Sequence, residues 1–197
     1  MAKQQYVQIA KRRREGKTDY RKRRGIILGK KPFLTVHVSN RYIYGQVIKP
    51  AANGDIALCS SSSRNLAKKY GWKGSTKNLP SAYLSGLLLG RKAKENKINE
   101  AIAYAGVSRF VHGSRLSAFL AGAKDGGLQI EFDKEIIPEK DRLNGKHIAD
   151  YAKELESEDP SEYKQMFSKV ITKGLNPSDY PTHFEEVRSS VGTSKNQ

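Results

Sequence analysis

The sequence predicts an α/β protein: a three-layer sandwich around a mixed sheet, preceded by a basic arm and followed by an acidic helical lobe. Three observations predict it. Leu34, Val36 and Val38 alternate with Thr35, His37 and Ser39, the period-two pattern of a half-buried strand. Tyr83, Leu84, Leu87 and Leu88 recur at helical spacing behind a capping Asn78. Charge falls in three blocks: residues 1–31 hold twelve Lys/Arg against two acids, 32–130 fourteen against four, and 131–197 ten against fourteen. The blocks carry +10, +10 and −4 of the total +16, which places an arm at 1–31, an α/β domain at 32–132 and a lobe with its tail at 133–197.

The arm comes first. Arg12, Arg13 and Arg14 precede Lys17, then Arg21, Lys22, Arg23 and Arg24, with Lys30 and Lys31 at its end. Such a run repels itself and is expected to fray without counter-charge, with short helical turns over 8–23. Tyr6 and Tyr20 add flat rings among the cations, which a tail needed only for solubility has no use for.

Three strands follow between Pro32 and Ser61. After the alternating first strand, Ser39-Asn40-Arg41 turns the chain into Tyr42–Ile48, where Ile43 and Val47 continue the inward face. Pro50 ends that strand, and Asn53-Gly54-Asp55 turns into a third, Ile56–Cys59, completing an antiparallel meander. A short helix over 63–70 closes at Gly71. The next helix begins at Asn78 with Pro80 in its first turn, and Arg91, Lys92, Lys94 and Lys97 load its end. Gly86 and Gly90, four apart, cost about 1 kcal/mol each in helix propensity and so predict a close approach, to the sheet.

Ile102–Val107 reads as a strand. Gly113-Ser114 caps a helix that turns Leu116, Phe119, Leu120 and Ala123 inward and stops at Gly126-Gly127; Leu128–Phe132 reads as a further short strand. In the lobe, Ile148, Tyr151 and Leu155 form one helical stripe, and Tyr163, Met166, Phe167, Val170 and Ile171 a second. Pro177 and Pro181 punctuate a loop before a final helical turn with Phe184 and Val187, and the tail from Val191 is expected to be unordered.

Enzyme chemistry has little to stand on. Gly71–Thr76 lacks the spacing of a phosphate-cradling loop, and His37, His112, His147 and His183 are scattered with no cysteine pair beside them, so neither a metal nor another cofactor is expected. Three antiparallel strands followed by helices resemble the ribonuclease H topology, yet two-metal cleavage needs carboxylates converging from strands. Residues 32–130 hold only Asp55, Glu95, Glu100 and Asp125, and the first two strands hold no acid. Membranes are not expected partners either, because no 18-residue apolar run exists. The lone Cys59 forms no intramolecular disulfide, which makes a reducing cytoplasmic setting the default.

RNA binding has positive signals. Hydroxyl, amide and aromatic side chains near tight turns serve ribose and base contacts. Asn40, Arg41, Tyr42, Tyr44 and Gln46 form one such group on the first hairpin, and His112, Gly113, Ser114 and Arg115 a second. Alone, each group is ordinary turn chemistry. Beside +20 over residues 1–130 they predict a surface for a ribose-phosphate polyanion.

These motifs carry a resemblance. The arm Arg12-Arg13-Arg14-Glu15-Gly16-Lys17-Thr18-Asp19-Tyr20-Arg21, the hairpin Ser39-Asn40-Arg41-Tyr42-Ile43-Tyr44-Gly45-Gln46, the run Asn78-Leu79-Pro80-Ser81-Ala82-Tyr83-Leu84 and the loop Val111-His112-Gly113-Ser114-Arg115 are similar to those of the large-subunit ribosomal protein eighteen family, in its archaeal branch. The resemblance runs from about Tyr6 to Val187. It implies a ribonuclease H-like α/β sandwich without that enzyme's carboxylates. It also implies a binder of 5S rRNA that attaches it to the 23S-type large-subunit rRNA in the central protuberance, beside neighbouring ribosomal proteins. The arm is expected to lie along rRNA, and the hairpin and the His112-Gly113 loop to touch 5S rRNA.

Overall fold

The computed structural model describes residues 8–193 apart from Ala10, Ala52 and Asn53. Tyr6 and the Asn53 position of the second turn therefore lie outside the described residues. The chain opens with two helices, α1 (Lys11–Arg14) and α2 (Tyr20–Gly29). Asp19 caps α2, its carboxylate accepting from the Arg21 and Lys22 amides at 3.0 and 3.2 Å. Here the structure departs from a fraying arm: α2 is a full helix that buries Ile26, and Arg23 reaches Asp55 at 2.6 Å. The cause is Ile26, which gives the C-terminal part of the cationic segment one apolar anchor to bury, while Ile27 and Leu28 stay exposed.

The meander forms as predicted, with β1 (Phe33–Val38), β2 (Ile43–Lys49) and β3 (Ile56–Ser62), followed by α3 (Ser63–Lys69) and α4 (Leu79–Glu95). The last strand, β4 (Ile102–Tyr104), pairs parallel to β1. The sheet is mixed, ordered β3-β2-β1-β4, with both β1–β2 and β2–β3 antiparallel. β4 is shorter than expected because Gly106 turns the chain at φ +63°. Leu128–Phe132 does not become a strand. Only Gln129 bridges, its amide donating to Asn99 at 2.8 Å and its carbonyl accepting from Ala101 at 3.0 Å, before the chain leaves the sheet.

α4 and α5 (Arg115–Asp125) cover one face of the sheet and pack on each other more closely than on any strand. The glycines explain this and correct the expected partner. A Cβ on Gly86 would lie 2.0 Å from the Phe119 carbonyl oxygen, and one on Gly122 would lie 2.0 Å from that of Tyr83. Gly90 and Gly126 approach each other in the same way. Two G-x3-G faces thus meet backbone to backbone, helix on helix, and the matched order of contacts makes α4 and α5 parallel. Asn78 and Ser114 cap them, each accepting from the amide three residues on.

The core has two main parts. Leu34, Ile43, Val47, Leu89, Phe119 and Leu128 fill the space between sheet and helices. The second part joins the Tyr83, Leu84, Leu87 and Leu88 stripe to Trp72, Ala149, Tyr180, Phe184, Val187 and Val191. The latter residues come largely from α7 (Lys146–Glu158) and α9 (Tyr180–Thr193), which follow the short α6 (Lys140–Leu143); α8 (Pro160–Ile171) packs outside α7. Several expectations for the lobe are corrected. α7 buries Ala149, Ala152 and Leu155 while Tyr151 is 43 % exposed, because its inward stripe begins one residue later than read. α8 buries Tyr163 and Phe167 and leaves Met166 and Ile171 exposed. The final turn is a fourteen-residue helix, and Val191 is buried rather than unordered. Tyr180, Phe184, Val187 and Val191 form a continuous stripe against α4, and Arg91 of α4 donates to the Val191 carbonyl.

Candidate nucleic-acid interface

On β2 the pleat sorts the sequence-predicted group. Ile43, Gly45 and Val47 face the core, while Tyr44 and Gln46 point outward and Tyr42 is half-buried. Gly45 is required there, since a Cβ would fall 2.1 Å from the ring of Phe119. Across the ladder, His37 pairs with Tyr44 and Thr35 with Gln46, so one face of the sheet offers aromatic, imidazole, amide and hydroxyl groups together. Tyr42 and Tyr44 meet edge to face at 6.3 Å. Ser39 shapes the turn: its hydroxyl donates to the Tyr42 carbonyl at 2.8 Å and accepts from the Tyr42 amide at 2.9 Å. Asn40 and Arg41 are left exposed at the tip.

The second group lies at the same end of the molecule. α4 and α5 run parallel, with their N-termini toward the hairpin tip, and the Thr76 hydroxyl just before α4 donates to the Arg41 carbonyl at 2.7 Å. His112 is exposed, Gly113 takes φ +65°, Ser114 caps α5 and Arg115 is its first residue, half-buried. Both helix N-termini, positive ends of their dipoles, therefore join Arg41 and Arg115 at this end.

The loop Gly71–Asn78 was not among the sequence-predicted site residues, yet it supports the hairpin tip. The Trp72 indole donates to the Ser75 carbonyl at 3.0 Å, and its ring stacks on His183 at 5.2 Å. His183 accepts from the Lys73 amide at 3.1 Å. The Tyr180 hydroxyl accepts from the Ser75 amide at 3.1 Å and from the Asn78 side chain. Burial pushes the Tyr180 phenol up to about 12, outweighing those two donors, which act in the opposite direction. No local pattern in 71–78 signals this role, because its partners Arg41, Gly174, Tyr180 and His183 are all distant in the chain.

The arm cations divide. Arg23 is held by Asp55, which with the resulting hydrogen bond raises its pKa, and Lys31 pairs with Glu100 at 2.8 Å. Lys17 pairs with Glu15 at 2.8 Å, Lys22 lies 3.9 Å from Asp19, and the Arg12 Nε donates to Thr18 at 3.1 Å. Arg13, Arg14, Arg21 and Arg24 are exposed with no ion-pair partner among the described residues, Tyr20 is 42 % exposed, and Lys30 ends α2.

The carboxylates that a nuclease needs are spread and engaged. Asp55 and Glu100 hold Arg23 and Lys31, and Asp125 accepts from the Tyr83 hydroxyl at 2.6 Å. Among the described residues no three His, Cys, Asp or Glu side chains gather where they could hold a metal. No helix among them is long and apolar enough to cross a membrane.

The described residues thus offer an exposed surface of rings, amides and cations, and comparison with known proteins shows the family that this chain comes from. Residues 4–105 match the family described as ribosomal large subunit proteins 60S L5 and 50S L18. The large ribosomal subunit protein uL18 of Caldivirga maquilingensis is 48 % identical over 181 residues, covering 92 % of this chain and 87 % of that protein. The uL18 protein of Ignicoccus hospitalis is 42 % identical over 181 residues, covering 92 % and 88 %. The chain belongs to this uL18 family of large-subunit ribosomal proteins, which are structural and not enzymes.

Proposed function

We propose that this protein binds 5S rRNA and attaches it to the 23S-type large-subunit rRNA in the central protuberance. The observation that carries the reading is the placement of the hairpin (Asn40, Arg41, Tyr42, Tyr44, Gln46) and the His112–Arg115 loop at the same end of the molecule, beside two helix N-termini. Rings and amides there suit stacking and 2′-hydroxyl contact with splayed nucleotides, while Arg41 and Arg115 suit phosphates. The arm, 1–31, lies along rRNA. The sandwich, 32–132, is the ribonuclease H-like unit without its carboxylates. The lobe, 133–197, offers its acidic outer surface to neighbouring ribosomal proteins.

The test is titration of a 5S transcript over a range of salt. Each phosphate contact contributes about 0.7 to the log–log slope on single strands and about 0.9 on duplex. Replacing Arg12, Arg13, Arg14, Arg21 and Arg24 with Ala, while leaving the structural Arg23, is expected to flatten the slope by several contacts. An unchanged slope would remove the arm from the mechanism, and failure of the wild-type chain to bind 5S rRNA would remove the proposal.

A further inference from the structure

At the end of the sheet opposite the hairpin tip lies an open cleft of about 610 Å³, walled by the ends of α2, β2 and α4. Lys30, Lys49 and Lys97 line it with Asn96 and Asn99. Lys30 and Lys97 are the two non-glycine residues of the described chain with positive φ, at 53° and 58°. Each occupies the left-handed position that ends a helix. The Lys30 amide donates to Ile27 at 3.2 Å, and the Lys97 and Ile98 amides donate to Lys94 and Ala93 at 3.0 and 2.8 Å. Glycine or asparagine is usual there, because a Cβ crowds the neighbouring carbonyl. The one carboxylate in the lining, Glu100, is already held by Lys31, and none of the three lysines has an ion-pair partner among the described residues.

Cations near helix C-termini complement the dipole. That accounts for positive charge near the ends of α2 and α4. It does not account for lysine in a backbone conformation suited to glycine, twice, in one cleft, nor for Lys49 on a strand.

We propose that this cleft is a second RNA site, holding the phosphodiester backbone of a strand other than the one at the hairpin. It rests on the RNA-binding reading above. The seventeen residues of α4 at about 1.5 Å each separate the two ends by about 25 Å, too far for one nucleotide contact to span. Lysine suits the task, since a flexible point charge neutralises phosphate without selecting a base.

The decisive variant is Lys30→Gly/Lys97→Gly in the full chain, because glycine accepts both backbone positions. Wild type and variant are titrated over a salt series against a 5S transcript and against large-subunit rRNA stripped of 5S. The expected result is affinity weaker by roughly tenfold for one of the two RNAs, with a slope shallower by about 0.7 to 0.9 per lost contact. The RNA affected identifies the occupant. The free variant is expected to melt no lower than wild type. Unchanged affinity and slope on both RNAs, or a lower melting temperature with unchanged binding, would assign the lysines to helix termination and overturn the cleft while leaving 5S recognition standing. A wild-type chain that binds neither RNA would overturn both readings.

Discussion

Single residues decide how tightly the layers close. Gly122 sits inside α5, where alanine would gain about 1 kcal/mol of helix propensity. Its Cβ would meet the Tyr83 carbonyl oxygen at 2.0 Å and the Leu87 amide nitrogen at 3.0 Å, and neither obstacle is a side chain that can rotate away. Overpacking of this kind costs about 1–3 kcal/mol or more, so the packing loss prevails. Because both obstacles are backbone, the cost falls at the upper end, and Gly122→Ala is expected to lose about 1–2 kcal/mol net, lowering the melting temperature by roughly 2–8 °C in calorimetry. Gly25 in α2 gives the opposite sign. Nothing lies within 4 Å of its Cβ position, and Gly25→Ala should stabilise by up to about 1 kcal/mol. Equal signs for the two substitutions would refute the close-approach account. The same logic separates what was legible at this scale: the costly spacing of Gly86 and Gly90 announced a contact, but spacing names no partner, and the partner proved to be a helix.

At the scale of elements, α9 is the joint between the lobe and the loop beneath the hairpin. Tyr180→Phe deletes an acceptor for the Ser75 amide and the Asn78 side chain, leaving donors unpaired at about 1–3 kcal/mol. The joint also sets an alkaline limit. The Tyr180 phenol ionises near 10 when exposed and near 12 in the fold, so the folded state favours the proton more than the unfolded chain does. Its contribution is fully present below pH 10 and is lost as pH rises from there toward 12. Tyr83 acts in the same direction, since burial and the Asp125 carboxylate both raise its pKa. Urea titrations between pH 9 and 11 should show stability falling in wild type and falling less steeply in Tyr180→Phe. Identical slopes would exclude Tyr180 from the transition. The strands and α4 were readable in advance because period, caps and turn residues are local. α9 was legible only as one final turn with Phe184 and Val187, because Pro177 and Pro181 read as loop punctuation whereas Pro181 occupies the first turn of a helix, where a missing amide is harmless.

For the whole molecule, the central issue is whether arm, sandwich and lobe unfold as one. α4 presents Ala82, Leu89 and Ala93 to the sheet-side core and Tyr83, Leu84, Leu87 and Leu88 to the lobe-side core, so neither cluster is complete without it. Nature supplies a probe in each. Cys59, whose thiol burial pushes up in pKa, lies in the first cluster, and Trp72, the only tryptophan, lies in the second. Thiol labelling and tryptophan fluorescence should report coincident denaturation midpoints. Separate midpoints would show that the lobe unfolds independently and that α4 does not couple it to the sheet.

The sequence by itself determined the charge blocks, the three-stranded meander, the capped starts of α4 and α5, and the family, since each is written in local pattern or ordered motifs. Only the tertiary structure decided that the hairpin and the His112–Arg115 loop share one end, that Lys30, Lys49 and Lys97 share the other, and that α9 continues to Thr193. Those facts depend on helix direction and on contacts between residues distant in the chain. Periodicity states which face of an element is apolar; it carries no information about which other element that face will meet.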